Sequence, residues 1–188
     1  IDQDKCIDFI ETKTFFKNNK TFNLKTKKEI KAIIIVHCFG NAANFEKLAK
    51  FCKKRNIKII EDAAESLGSI YTKGKFKNKH TGTIGELGII SFNGNKITTA
   101  GNGGVVLTQK RSIYKKCKYI VNQSKDDPVR FIHNSIGYNY SLSNLSASLV
   151  VAQLENLKFF LKKKREINKY YQKAVFKIPG LNILEGPR

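Results

Sequence analysis

Residues 32–62 read AIIIVHCFGNAANFEKLAKFCKKRNIKIIED, and this stretch decides the fold class. It opens on an unbroken apolar run, Ala32-Ile33-Ile34-Ile35-Val36, most of it β-branched. A run without polar alternation predicts a strand buried on both faces. Asn41 or Asn44 is placed to cap a helix. Phe45, Leu48, Ala49 and Cys52 then recur at i, i+3, i+4 and i+7, the apolar stripe of an amphipathic helix. Asn56 closes that helix, and Ile57-Lys58-Ile59-Ile60 forms a second strand ending in Glu61-Asp62. A strand, a helix of about a dozen residues and a strand with short links make a βαβ unit, hence parallel strands and a right-handed crossover.

Outward from this unit the pattern weakens and then resumes. The first thirty residues are polar and Lys-rich, and Phe9, Ile10, Phe15 and Phe16 show no clear period. Tyr71 to His80 is a polar, hairpin-like stretch. Leu87–Phe92 reads as a strand, 93–102 as a loop of Gly, Asn and Thr, and Gly104–Thr108 as a further short strand. Ile113, Tyr114, Cys117, Ile120 and Val121 suit one helix face. Residues 124–140 are irregular around the turn Asp126-Asp127-Pro128. From Asn144 one long helical pattern runs to Phe176, and Pro179-Gly180 stops it. The expected fold is α/β, three layers with a mostly parallel sheet, with residues 1–144 in one domain and 145–188 a linking helix that starts a second.

Composition narrows the function classes. The 188 residues hold 35 Lys and Arg against 15 Asp and Glu, a formal net charge of +20. Such a charge invites a nucleic-acid or membrane-surface partner. The positive charge is nearly all Lys and is scattered, whereas phosphate and base recognition lean on Arg. A solvated surface is therefore preferred, and neither a nucleic acid nor a membrane is expected as partner. Cys6, Cys38, Cys52 and Cys117 contain no C-x-x-C pair, and His37, His80 and His133 have no ligand spacing, so no metal site is expected. Buried free thiols in a reducing cytoplasm account for the cysteines. The chain contains no Met, which predicts a piece from inside a longer reading frame.

Three features fall just beyond strand ends, where open α/β sheets bind ligands. Asp62 closes the second strand, Ser91 and Lys96 lie in Ser-Phe-Asn-Gly-Asn-Lys, and Gly101-Asn102-Gly103-Gly104 follows. Pyridoxal phosphate takes a Lys amine for its aldehyde, an acid against its ring nitrogen and hydroxyl donors for its phosphate. A carboxylate, a hydroxyl and a lysine on neighbouring strand ends match that set.

Six motifs in order carry a closer resemblance: AIIIVHCFG (32–40), IIEDAAESLG (59–68), TGTIGELG (81–88), ISFNGNK (90–96), GNGG (101–104) and GYNYSLSN (137–144). From about Lys31 to Phe176 the chain resembles the DegT/DnrJ/StrS family of nucleotide-sugar aminotransferases, pyridoxal-phosphate enzymes of fold type I. The Ser91–Lys96 phrase and 125–139 look most like the branch that aminates C4 of UDP-linked 4-keto-6-deoxy sugars for bacterial surface glycans. The resemblance implies that Lys96 carries the cofactor covalently and moves the proton. It implies Asp62 at the ring nitrogen, Ser91 at the phosphate, Ala64 under the ring and Glu65 near the ring hydroxyl, where many members have Gln. Asn139 matches an Asn that reaches the phosphate across a homodimer interface. Expected substrates are a nucleotide sugar and an amino donor, glutamate first.

The chain departs from the family pattern in places. No Gly-Ser/Thr-x-Ala-Leu phosphate loop precedes Asp62. Ser141 and Ser146 stand where Arg and Gln are frequent, Glu86 replaces an Asp, and Ala100 replaces a Thr. These departures motivate an alternative, a cofactor-binding pseudo-enzyme or sensor of the same fold. A basic nucleic-acid-binding domain is the weaker alternative. The stretch alone is expected to be inactive.

Overall fold

The computed structural model describes residues 2–183. The βαβ unit forms as read. Strand β3 (Ala32–Val36) lies parallel to β4 (Lys58–Asp62), with helix α2 (Glu46–Lys54) between them in sequence. Strand β5 (Leu87–Ser91) adds parallel to β4, and β6 (Gly104–Leu107) closes the sheet antiparallel, giving the order β3-β4-β5-β6. The class is α/β with a mostly parallel sheet.

Ladder neighbours point to the same face of a sheet. Ile35 pairs with Glu61 and Glu61 with Gly88, so this row points toward α2. There Ile35, Ile59, Phe45, Leu48 and Cys52 build the main core with Tyr71 and Phe76. The opposite row carries Ile34, Val36, Asp62, Ile89 and Val106. It is open: Ile34 is 61% and Val36 45% exposed. Burial of β3 on both faces is therefore overturned. Among the described residues β3 ends the sheet, and only its α2 side is covered. Helix α2 starts at Phe45 without a side-chain cap, and Asn44 Oδ1 reaches the Glu46 amide only at 3.5 Å, so the Asn cap is not made.

The first thirty residues are ordered. Helix α1 (Gln3–Lys13), capped by Asp2, leads into the hairpin of β1 (Thr14–Lys17) and β2 (Lys20–Asn23). Its two-residue loop, Asn18-Asn19, has φ of 49° and 58°, the left-handed pair that a twisted hairpin requires. Arg55, at the end of α2, ties the hairpin down: Nη2 donates to Thr14 Oγ1 (2.8 Å), and Thr21 Oγ1 donates to the Arg55 carbonyl (2.6 Å).

After β6 come α3 (Arg111–Val121) and then two helices, α4 (Asn144–Glu155) and α5 (Leu157–Val175). The single long helix is thus broken at Asn156, where the backbone tightens and the amide bonds Gln153 and Leu154 carbonyls. Asn156 Nδ2 also donates back to the Ala152 carbonyl (2.9 Å), the local competition that makes Asn a poor helix interior residue. Past the break the two helices take different partners. Val150 of α4 packs with Ala63, Ile90 and Phe92. Leu161 of α5 sits over Gly68, where a Cβ would meet its methyl at 2.7 Å. The cysteines are all free, but only Cys52 is buried and Cys38 is exposed, which corrects the expectation of buried thiols. Of the second-domain segment, 184–188 lie outside the described residues.

Candidate active site

The carboxyl ends of β4 and β5 are fixed from within by a buried pair. Glu61 is 0% and His37 1% exposed. His37 Nδ1 accepts the Ala43 amide (3.0 Å), so its proton sits on Nε2 and is donated to Glu61 Oε2 (3.0 Å). Glu61 accepts three more bonds, from the amides of Gly82 (2.9 Å), Ile84 (2.6 Å) and Gly85 (2.6 Å). Burial alone pushes this carboxyl up. The His37 bond and the Gly85, Gly82 and Ile84 amides outweigh burial and hold it below the usual range. The 81–85 loop can lie this close to β5 because residue 88 is Gly, since a Cβ there would run into the Gly82 carbonyl. One carboxylate thus locks β3, β4 and the loop leading to β5.

Past that lock the chain turns into a cleft of about 1410 Å³. Ala64 and Glu65 enter it from the end of β4, Ser91 and Lys96 from the end of β5, and Phe39 and Gly40 from the end of β3. Helix α5 closes one side with Leu161, Lys164 and Arg165. The Lys96 side chain is 16% exposed, and its Nζ lies 3.4 Å from Glu65 Oε1. Glu65 Oε2 accepts the Phe39 amide at 2.9 Å. That amide first, and Lys96 second, hold the Glu65 carboxyl below its ordinary value. Ser91 Oγ accepts the Asn93 amide (3.2 Å) and opens the turn that carries Lys96.

Four expected site residues, Ala64, Glu65, Ser91 and Lys96, therefore share one cleft. Asp62 does not line it. It sits half-buried on the open face of the sheet, in the row of Val36 and Ile89, and its Oδ1 accepts the Ala64 amide (3.1 Å). Asn139 is exposed in the 124–140 segment, bridged to Asn122, and does not line the cleft. His37 is structural, as its bonds to Glu61 and Ala43 show. Two contributors escape a reading of the sequence. Gln153 of α4 grips Thr99 from both sides, accepting its amide (3.0 Å) and donating to its carbonyl (2.6 Å), which anchors the loop after Lys96. A lone Gln among apolar helix residues was the available signal. Phe39, 86% exposed at the cleft wall with φ of 52°, had none.

Among the described residues no His, Cys, Asp and Glu cluster could hold a metal ion, and no helix is long and apolar enough to cross a membrane.

Comparison with known proteins matches residues 7–188 to the DegT/DnrJ/EryC1/StrS aminotransferase family. The chain is 38% identical over 151 residues to GDP-perosamine synthase of Escherichia coli O157:H7, covering 80% of this chain and 40% of that protein. It is 32% identical over 154 residues to UDP-4-amino-4,6-dideoxy-N-acetyl-beta-L-altrosamine transaminase of Campylobacter jejuni, covering 80% and 39%. Among solved structures, E. coli GDP-4-keto-6-deoxy-D-mannose-3-dehydratase with bound hydrated PLP superposes at TM-score 0.70 with 25% identity, over 85% of this chain and 44% of that one. The chain spans about two fifths of the length of the curated relatives.

Proposed function

Because the chain belongs to the DegT/DnrJ/EryC1/StrS aminotransferase family, we propose that it is part of a pyridoxal-phosphate enzyme that aminates a keto-deoxy sugar carried on a nucleotide. The expected amino donor is glutamate, and the products would serve surface-glycan synthesis in the cytoplasm. Relatives named for GDP-linked and for UDP-linked sugars both match, so the proposal is not tied to one base. The observation that carries it is the placement of Lys96: a sheltered amine in a cleft at the carboxyl ends of parallel strands, which Ser91 and Ala64 also line.

The donor set fits the cofactor. Lys96 offers the amine and Ser91 a hydroxyl for phosphate inside the cleft, and Asp62, outside its lining but at the same end of β4, is the carboxylate proposed for the ring nitrogen. Ala64 is small enough to lie under a ring, and Glu65 stands beside the lysine. Asn139 is assigned to a second copy's phosphate site in a homodimer, in keeping with its place away from this chain's own cleft. When bound, pyridoxal phosphate supplies an electron-accepting ring. The protein's part is then to hold and move a proton. Lys96 Nζ would take a proton from the α-carbon of the donor amino acid in one half-reaction and, in the other, give a proton to the sugar carbon that receives nitrogen. Asp62 would stand opposite the ring nitrogen as its carboxylate partner. Residues 1–144 are assigned to the cofactor domain and 145–188 to the segment leading out of it.

The test is the visible spectrum of the full-length protein after adding pyridoxal phosphate. A band that Lys96→Ala abolishes is expected. No band, or one unchanged in Lys96→Ala, overturns the proposal. A second reading, a cofactor-binding pseudo-enzyme or sensor of the same fold, draws on Ser141 and Ser146, which depart from the Arg and Gln that the resemblance implies. Ser146 serves the fold. Here its amide and hydroxyl are both taken up by the Ser143 cap of α4 (3.1 and 3.0 Å). Bleaching of the band by glutamate without transfer to a keto sugar would favour it.

A further inference from the structure

We propose that Glu65 is a positioning residue for Lys96, a charged tether that holds the lysine side chain against the cleft wall and slows its reaction with electrophiles. This rests on Lys96 being the reactive amine and assigns what governs it.

Both oxygens of Glu65 are engaged on different elements. Oε1 faces Lys96 Nζ at 3.4 Å, and Oε2 takes the Phe39 amide at 2.9 Å. That amide is presented by a left-handed residue, φ 52°, an unfavourable conformation for an aromatic side chain. The turn behind it is pinned separately, since Ser69 Oγ donates to the Gly40 carbonyl at 2.6 Å. The carboxylate therefore cannot leave Lys96 without also releasing a backbone donor that the fold has aimed at it. Lys96 is mostly sheltered, so water replaces Glu65 only in part.

The chemistry separates charge from shape. An amine whose N–H groups are directed at a neighbouring carboxylate must break that contact before it attacks a carbonyl carbon. Gln at position 65 can still accept the Phe39 amide through its carbonyl, but it then turns an NH2 group toward Lys96, donor against donor. Ala removes both contacts. Only the charged residue serves both.

The experiment is trace acylation of cofactor-free protein with acetic anhydride at mildly alkaline pH. Labelling of Lys96 is read by peptide mass spectrometry against exposed Lys115 and Lys116 in the same sample. Glu65→Gln is expected to raise the Lys96 ratio about 2- to 5-fold, the range for a partly exposed ion pair. The difference should shrink in ~1 M salt, which screens charges within about 3 Å. Amide exchange at Phe39 should stay slow in Glu65→Gln and quicken in Glu65→Ala. An unchanged or lower Lys96 ratio in Glu65→Gln, or an equal rise at Lys115, overturns the tether. Neither result touches the proposed function, which stands or falls on the Lys96→Ala spectrum.

Discussion

Glu61→Gln is the sharpest probe of what holds the site in place. The side chains are nearly the same size, so no cavity opens, and the effect is one of hydrogen-bond polarity. Glu61 receives four donors, two on each oxygen: His37 Nε2 and the Gly82 amide on Oε2, and the Ile84 and Gly85 amides on Oε1. Gln has one carbonyl oxygen and one NH2, so two of these donors must face another donor. If the NH2 takes the Oε2 position, His37 can shift its proton to Nδ1 and accept, but Nδ1 then confronts the Ala43 amide that it now accepts. The conflict moves and does not vanish. Two buried donors left unsatisfied cost about 1–3 kcal/mol each, so the substitution should cost about 2–6 kcal/mol. That is a large part of the ~5–15 kcal/mol that stabilises an ordinary domain. With a urea slope of about 2 kcal/mol/M, the unfolding midpoint should fall by roughly 1–3 M at neutral pH.

The acid limb gives an independent check. The Glu61 carboxyl is held below its ordinary value in the folded chain, so the unfolded state binds its proton first as pH falls. Its stabilisation is complete above the unfolded carboxyl pKa and is lost as pH falls through the lower folded value. Stability of the parent protein should therefore decline with acid more steeply than that of Glu61→Gln, and the two curves should converge at low pH. A midpoint shift below ~0.5 M at neutral pH, or parallel acid limbs, would refute the reasoning that this carboxylate locks three elements.

Two more outcomes follow from named contacts. Gln153→Ala removes both bonds to Thr99 from a half-buried position, so it should destabilise by about 1–3 kcal/mol in urea melts and speed limited proteolysis between 93 and 102. Burial, with Cys6 nearby, pushes the Cys52 thiol up to about 11, so in native protein iodoacetamide at mildly alkaline pH should label exposed Cys38 readily and Cys52 hardly at all.

The sequence carried the parts of this structure that repeat with a period. The stripe Phe45, Leu48, Cys52 marks core positions directly, as do Ile35 and Ile59 in the runs of β3 and β4, and Ser91 and Lys96 at the end of β5 mark the cleft. Other parts depend on relations that no local window contains. The exposure of Ile34 and Val36 is set by which strand faces have cover, and the same apolar run suits either case. The hairpin of β1 and β2 had only the Asn18-Asn19 pair as a sign, in a stretch where Lys hides the alternation. The break at Asn156 interrupts a stripe that continues in period on both sides. His37 and Glu61 are 24 residues apart, and each alone reads as a polar residue ending a strand.

The run Glu61-Asp62-Ala63-Ala64-Glu65 shows how strand geometry turns one acidic motif into three separate roles. Successive residues of β4 point to opposite faces, so Glu61 is driven into the core and Asp62 onto the open face. A carboxylate in the core is tolerable only because four donors meet it, so its role is to fix backbone. Asp62 meets one, the Ala64 amide, and is the carboxylate proposed for the ring nitrogen. Beyond the strand the chain bends, and Glu65 lands in the cleft opposite Lys96. Exchanging the first two acids by slipping β4 one residue would place Asp62 among the 82–85 amides. Its side chain, one methylene shorter, would fall short of the bonds at 2.6 Å that Glu61 makes there. The register of β4 is thus set by chemistry as well as by packing, and that register is what brings the anion, the small residue and the tethered lysine to the same end of the sheet.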